Sequence, residues 1–217
     1  MTPRELEEYR ALRNTIRERG TARVWIFVIG FGIWGGLVMA TVSIAALPEA
    51  TLLPLLALAA VFEAIFALHT GVERVGRYIQ VFYEAETSDS LNWEHTAMAF
   101  GRAFPGATVD PLFARFFWIA TVFNFIPAVL AGAVLYEWAG IGLAHVLFII
   151  RVVIAEQHAA HQRATDLDHF LKLKIDQLGI LGRKQLLNGL CRIGDGIGHK
   201  RGNVHVNEVA LVELREI

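Results

Sequence analysis

The chain has 217 residues, of which 54% are hydrophobic and 19% charged, with a formal net charge of −1. A soluble domain averages about 45–50% apolar and about 25% charged residues. The mean hydropathy of +0.44 therefore argues against an ordinary water-soluble domain, and the charge balance gives no sign of a nucleic-acid partner. A single cysteine, Cys191, excludes a disulfide framework or a four-cysteine zinc site within one chain.

Residues 1–23 read as a cytoplasmic amphipathic helix. Thr2-Pro3-Arg4-Glu5 combines a capping box with proline at the first helical position, and Leu6, Tyr9, Leu12 and Ile16 share one face. Glu5, Glu7, Glu8 and Glu18 dilute its basic character, which favours packing on other cytoplasmic parts over lying on a lipid surface. The apolar run that follows is too long for a signal-peptide core, which spans about 7–15 residues.

Four apolar segments come next, at about 24–47, 52–70, 114–136 and 138–157. A helix needs about 20 apolar residues to cross a bilayer core about 30 Å thick. The expected fold is thus all-α: a polytopic membrane protein with a four-helix transmembrane bundle over residues 24–157. Orientation follows from Lys and Arg. Six arginines precede the first span, and Arg74, Arg77 and Arg102 occupy the loop 71–113. Nine Lys or Arg lie from Arg163 onward, whereas the turns near Pro48 and Trp138 carry none. Both ends and the middle loop are therefore placed in the cytoplasm of an inner or plasma membrane.

Outside the spans, Val72, Val75, Ile79 and Phe82 carry a helical period to about Glu84. A turn at Thr87–Ser90 and a short helix at about 91–100 follow, and Asp110-Pro111 reads as a helix start. The fourth span extends as a cytoplasmic helix over 158–178. In the tail 179–217, Gly182, Gly189, Gly194, Gly196, Gly198 and Gly202 then interrupt the helical pattern, and Val204–Leu214 alternates enough for a strand. The tail is expected to be irregular or β.

Helices in lipid associate through small residues. Gly32, Gly36 and Ala40 form such a stripe in the first span, and Ala59, Ala60, Glu63 and Ala67 in the second. The third has Ala120, Asn124 and Ala128, and the fourth has Ala144, Arg151 and Ala155. Glu63, Asn124 and Arg151 ride on these stripes and count to roughly mid-depth at about 1.5 Å per residue. They are expected to form one inward polar cluster, with Glu63 and Arg151 paired and Asn124 hydrogen-bonded to one of them. A charge at the bilayer centre costs at least about 2.5–3.5 kcal/mol, and an opposite charge relieves it.

Catalytic signatures are absent. There is no phosphate loop, no nucleophile elbow and no His-Glu-x-x-His, and no cofactor is expected. His158, His161 and His69 are the weak candidates for a metal. Trp93-Glu94-His95 reads as a packing element on a short helix. The functional expectation is a non-enzymatic integral membrane subunit (a scaffold, accessory or sensor) acting through its cytoplasmic helices. Its partners would be the lipid bilayer and other membrane or cytoplasmic subunits, or further copies of itself. The alternatives are a small oligomeric transporter or channel using the mid-depth polar groups, and a membrane enzyme using the cytoplasmic histidines.

Overall fold

The computed structural model describes residues 2–44, 47–84, 93–103, 110 and 112–198. Among them every regular element is helical: α1 (Pro3–Ile44), α2 (Leu52–Ile79), α3 (Trp93–Ala103), α4 (Ala114–Leu130) and α5 (Leu135–Gly198). A 3₁₀ turn (Pro48–Thr51) leads into α2, and a π turn (Gln80–Glu84) continues it. Three stretches, Pro3–Ser43, Pro48–Glu84 and Leu135–Gly182, are long and apolar enough to cross a membrane, while α4 is a shorter apolar helix.

Contacts divide the chain into two units, Met1–Leu171 and Lys172–Ile217. In the second unit the described residues are the helical stretch 172–198. The helix thus runs past Gly179, where an irregular or β tail was expected, and Val204–Leu214 lies outside the described residues. The glycines at 179, 182, 189, 194 and 196 do not break it. Each costs about 1 kcal/mol in helix propensity, too little on its own to end a helix.

Three other boundaries differ from expectation. The amphipathic segment and the first span are one continuous helix, opened by the expected capping box: Thr2 N–H donates to Glu5 Oε2 (2.7 Å) and Glu5 N–H to Thr2 Oγ1 (3.3 Å). The third segment ends at Leu130 rather than 136, because Gly132 takes a left-handed φ of 69°, a common helix stop. Tyr136 consequently belongs to α5, which starts at Leu135. The turn expected at Thr87–Ser90 lies outside the described residues.

In the first unit the core is aromatic. Phe117 of α4 is fully buried, with Phe31 and Phe62 at 5.2 and 5.1 Å and Phe27 and Phe148 at 6.3 and 6.4 Å between ring centroids. Edge-on contacts of this kind are the favoured geometry for ring pairs. Leu55, Leu58, Ile65, Val152 and Ala155 complete the core.

Gly30 is where α1 approaches α2: a Cβ there would lie 2.4 Å from a Val61 methyl. Gly32, Gly36 and Ala40 are exposed, and a Cβ at either glycine meets nothing within 4 Å. The expected packing stripe is therefore on the wrong side of α1. Each residue turns a helix by about 100°, so Gly32 lies nearly opposite the face set by Phe27, Gly30, Phe31 and Trp34. The outer surface of the unit is strongly apolar, with Val28, Ile33, Met39, Leu56, Ile119, Val122, Phe123 and Leu147 all more than half exposed.

Candidate functional site

The three residues expected as one mid-depth cluster separate into two arrangements. Asn124 is fully buried on α4, and its amide is completely used. Nδ2 donates to Thr51 O (2.9 Å) and faces His145 Nε2 (3.0 Å), while Oδ1 accepts from Trp34 Nε1–H (3.2 Å). His145 Nδ1 lies 2.8 Å from Ile141 O. That fixes the tautomer: Nδ1 carries the proton and Nε2 accepts from Asn124. Four elements meet on one side chain.

Glu63 and Arg151 form an ion pair elsewhere, with Arg151 NH2 donating to Glu63 Oε2 at 2.7 Å. The Arg151 guanidinium also lies 5.0 Å from the centre of the Phe66 ring. Asn124 takes no part. His145 and Arg151 are six residues apart on α5, about 9 Å of rise, so the two sites lie at different levels. α4 stops at Leu130, which leaves Asn124 nearer that end of the helix than the longer expected span would have. The pair also faces outward rather than inward: the Glu63 and Arg151 side chains are 48% and 37% exposed.

A third polar region, not foreseen from the sequence, lies beyond the apolar spans. The π turn brings Gln80 and Glu84 inward, and both are buried. The Glu84 carboxylate accepts the N–H groups of Glu94 (3.0 Å) and His95 (3.3 Å), capping the start of α3 where unpaired N–H groups favour an anion. Arg13 of α1 bridges Glu84 (3.1 Å) and Glu94 (2.7 Å). Arg77 lies 3.6 Å from Glu94 and donates to Gln80 Oε1 (2.6 Å). Arg163 of α5 pairs with Glu73 (3.0 Å). A Cβ at Gly76 would lie 3.0 Å from Glu94 Oε2, so the glycine allows the carboxylate to approach α2.

Burial opposes the Arg13 charge, yet the Tyr9 hydroxyl, hydrogen-bonded at 3.0 Å, and the Glu94 carboxylate outweigh it and raise its pKa. Burial, together with Glu8, pushes the Tyr78 hydroxyl up and that of Tyr83 to about 12. Beside this junction is a cleft of about 730 Å³ lined by Glu73, Arg77, Glu94, Arg163, Asp168 and Leu171, among others. A smaller hollow of about 140 Å³ lies between Thr41, Leu47, Thr51 and Pro127. Glu63 lines neither.

The sequence carries only a partial sign of the junction: Arg77, Gln80 and Glu84 recur at spacings of three and four and so share one helix face, which does not show that the face turns inward. The metal candidates do not converge. His69 is buried and its Nδ1 lies 3.2 Å from Arg23 NH1. His158 is exposed, and His161 Nδ1 bonds back to Gln157 O (2.9 Å). Among the described residues no group of three or more His, Cys, Asp or Glu is placed to hold a metal ion. Comparison with protein-family models, with curated proteins and with solved structures finds no match for this chain.

Proposed function

We propose that the chain is a four-span integral membrane protein acting as a non-enzymatic scaffold, accessory or sensor subunit through its inner-side helices. The spans are the apolar parts of α1 and α2, then α4, then the first part of α5. Although α4 rises only about 25 Å, its ends meet the ends of its neighbours. Phe113 stacks on Phe27 beneath Arg23 at one end; Leu130 and Ala131 join Thr41 and Leu47 at the other. The distribution of Lys and Arg supports placing residues 1–23, 71–113 and 158–217 on the cytoplasmic side of an inner or plasma membrane.

The observation that carries the subunit reading is the ion-paired junction. It braces α1, α2, α3 and α5 outside the spans with Arg13, Glu73, Arg77, Glu84, Glu94 and Arg163, beside an open polar cleft. A rigid, charge-lined recess of this kind suits a docking protein segment. Leu173, Ile175, Leu178, Ile180 and Leu181 are more than half exposed on the later part of α5, and exposed apolar groups of this density are typical of contact surfaces.

The test is a photo-crosslinking residue at Ala97, in the cleft, in native membranes. The expected result is a discrete adduct with a second polypeptide that disappears when Glu94→Ala is added. Labelling of lipid alone, or an adduct indifferent to Glu94→Ala, would contradict the reading.

A further inference from the structure

We infer that the outward Glu63–Arg151 face is the contact surface for a second copy of this chain, paired about a two-fold axis along the membrane normal. The inference rests on the membrane reading above. On α2 the exposed positions Leu56, Ala60, Glu63 and Ala67 recur at spacings of four, three and four, and so share one face. On α5, Leu147 and Ile154 are exposed above and below Arg151. The result is an ion pair set among apolar side chains on the outside of the unit, with alanines on either side of the carboxylate.

Two independent features make lipid a poor occupant of this face. Each charge at mid-span costs at least about 2.5–3.5 kcal/mol against hydrocarbon, and a 2.7 Å contact that leaves 48% of Glu63 and 37% of Arg151 open relieves only part of that. The flanking Ala60 and Ala67 also leave room for another helix to approach closely, which is how small residues are used between helices in lipid.

The charges select the occupant. Glu63 and Arg151 sit side by side on two helices that run in the same direction, since Glu63 meets Arg151 and, ten residues on, Glu73 meets Arg163 near the same register. A two-fold axis along the membrane normal reverses the in-plane direction from carboxylate to guanidinium. Glu63 then faces the partner's Arg151, Arg151 faces the partner's Glu63, and four charges close into an alternating ring. The same surface serves both copies, as a two-fold interface requires. A different membrane protein would have to supply a matching pair of its own.

The test uses the full chain in native membranes, in a Cys191→Ala background. Ala60→Cys and Ala67→Cys flank the pair, and Phe123→Cys on the outer face of α4 is the control. Mild oxidation is expected to give a same-residue disulfide dimer at position 60 or 67 and none at 123. In a second arm, Glu63→Arg and Arg151→Glu are carried on differently tagged chains. Each alone should lose self-association, and co-expression should restore a mixed dimer, because one copy then presents two positive groups and the other two negative ones. No dimer at 60 or 67, a crosslink there to another protein, or self-association retained by both single variants would each overturn the inference. Alkaline extraction of the same membranes separates the two levels. A chain that stays in the membrane pellet without dimers defeats this inference alone, and one released as soluble protein defeats the membrane reading too.

Discussion

Asn124 and Glu63 are both polar residues in apolar helices, and the fold treats them in opposite ways. Asn124 is fully buried, with partners on α1, α5 and the turn before α2. Glu63 is half exposed, with one partner on one neighbouring helix. The contrast shows that a small-residue stripe does not by itself say whether its face turns into the chain or away from it. The stripe around Asn124 closes the first unit; the stripe around Glu63 is left on its surface.

The comparison is tested most severely at Asn124. Asn124→Leu strands His145 Nε2 and the Trp34 indole N–H together, and takes a second hydrogen bond from the Thr51 carbonyl, which caps α2. Each unsatisfied buried group costs about 1–3 kcal/mol, so thermal stability in detergent should fall by several kcal/mol, the largest effect of any change discussed here. A shift under about 1 kcal/mol would mean that the node is held by packing alone.

Next come the glycines of α1. Gly30→Leu must displace Val61 and should cost about 1–3 kcal/mol, as overpacking does. Gly32→Leu and Gly36→Leu point into open space and should leave the melting temperature in detergent unchanged. Equal losses at positions 30 and 32 would reverse the assignment of faces.

The outward pair should matter least for the isolated chain. Exposed pairs contribute about 0–1 kcal/mol, so a double-mutant cycle of Glu63→Gln and Arg151→Gln in dilute detergent should give a coupling in that range. A coupling of about 3–5 kcal/mol, typical when one partner of a buried pair is removed, would show that the pair is covered even there.

A separate alkaline effect lies away from both sites. Tyr83 has its pKa raised to about 12 by burial and by Glu8, against about 10 in an unfolded chain. A raised pKa contributes stability that is fully present below pH 10 and is lost as pH rises toward 12. Tyr83→Phe should flatten the stability profile across that window, and an unchanged profile would remove Tyr83 from the account.

The helical character, the run of α2 past its apolar segment to Glu84, and the Thr2–Glu5 cap are legible in the sequence, because each rests on local spacing. The Glu63–Arg151 contact is legible too, from opposite charge and matched count along two helices. The direction in which the pair faces is not. In water an amphipathic helix labels its inner face by hydropathy, but a span in lipid is apolar on both faces, so Gly32 and Gly30, or Ala60 and Leu58, carry no label. The junction around Glu84 escapes the sequence for another reason. It depends on a π turn that rotates Glu84 inward and on α1 continuing unbroken to bring Arg13 alongside, and neither is set by local composition.

The central claim is that α1, α2, α4 and α5 cross a membrane and leave the charged junction on its inner side. In a Cys191→Ala background, Glu49→Cys in the short turn before α2 and Ala97→Cys in the cleft can be exposed to a membrane-impermeant maleimide on intact cells. The account predicts labelling of position 49 at once and of position 97 only after the membrane is opened. Labelling of position 97 in intact cells would contradict it.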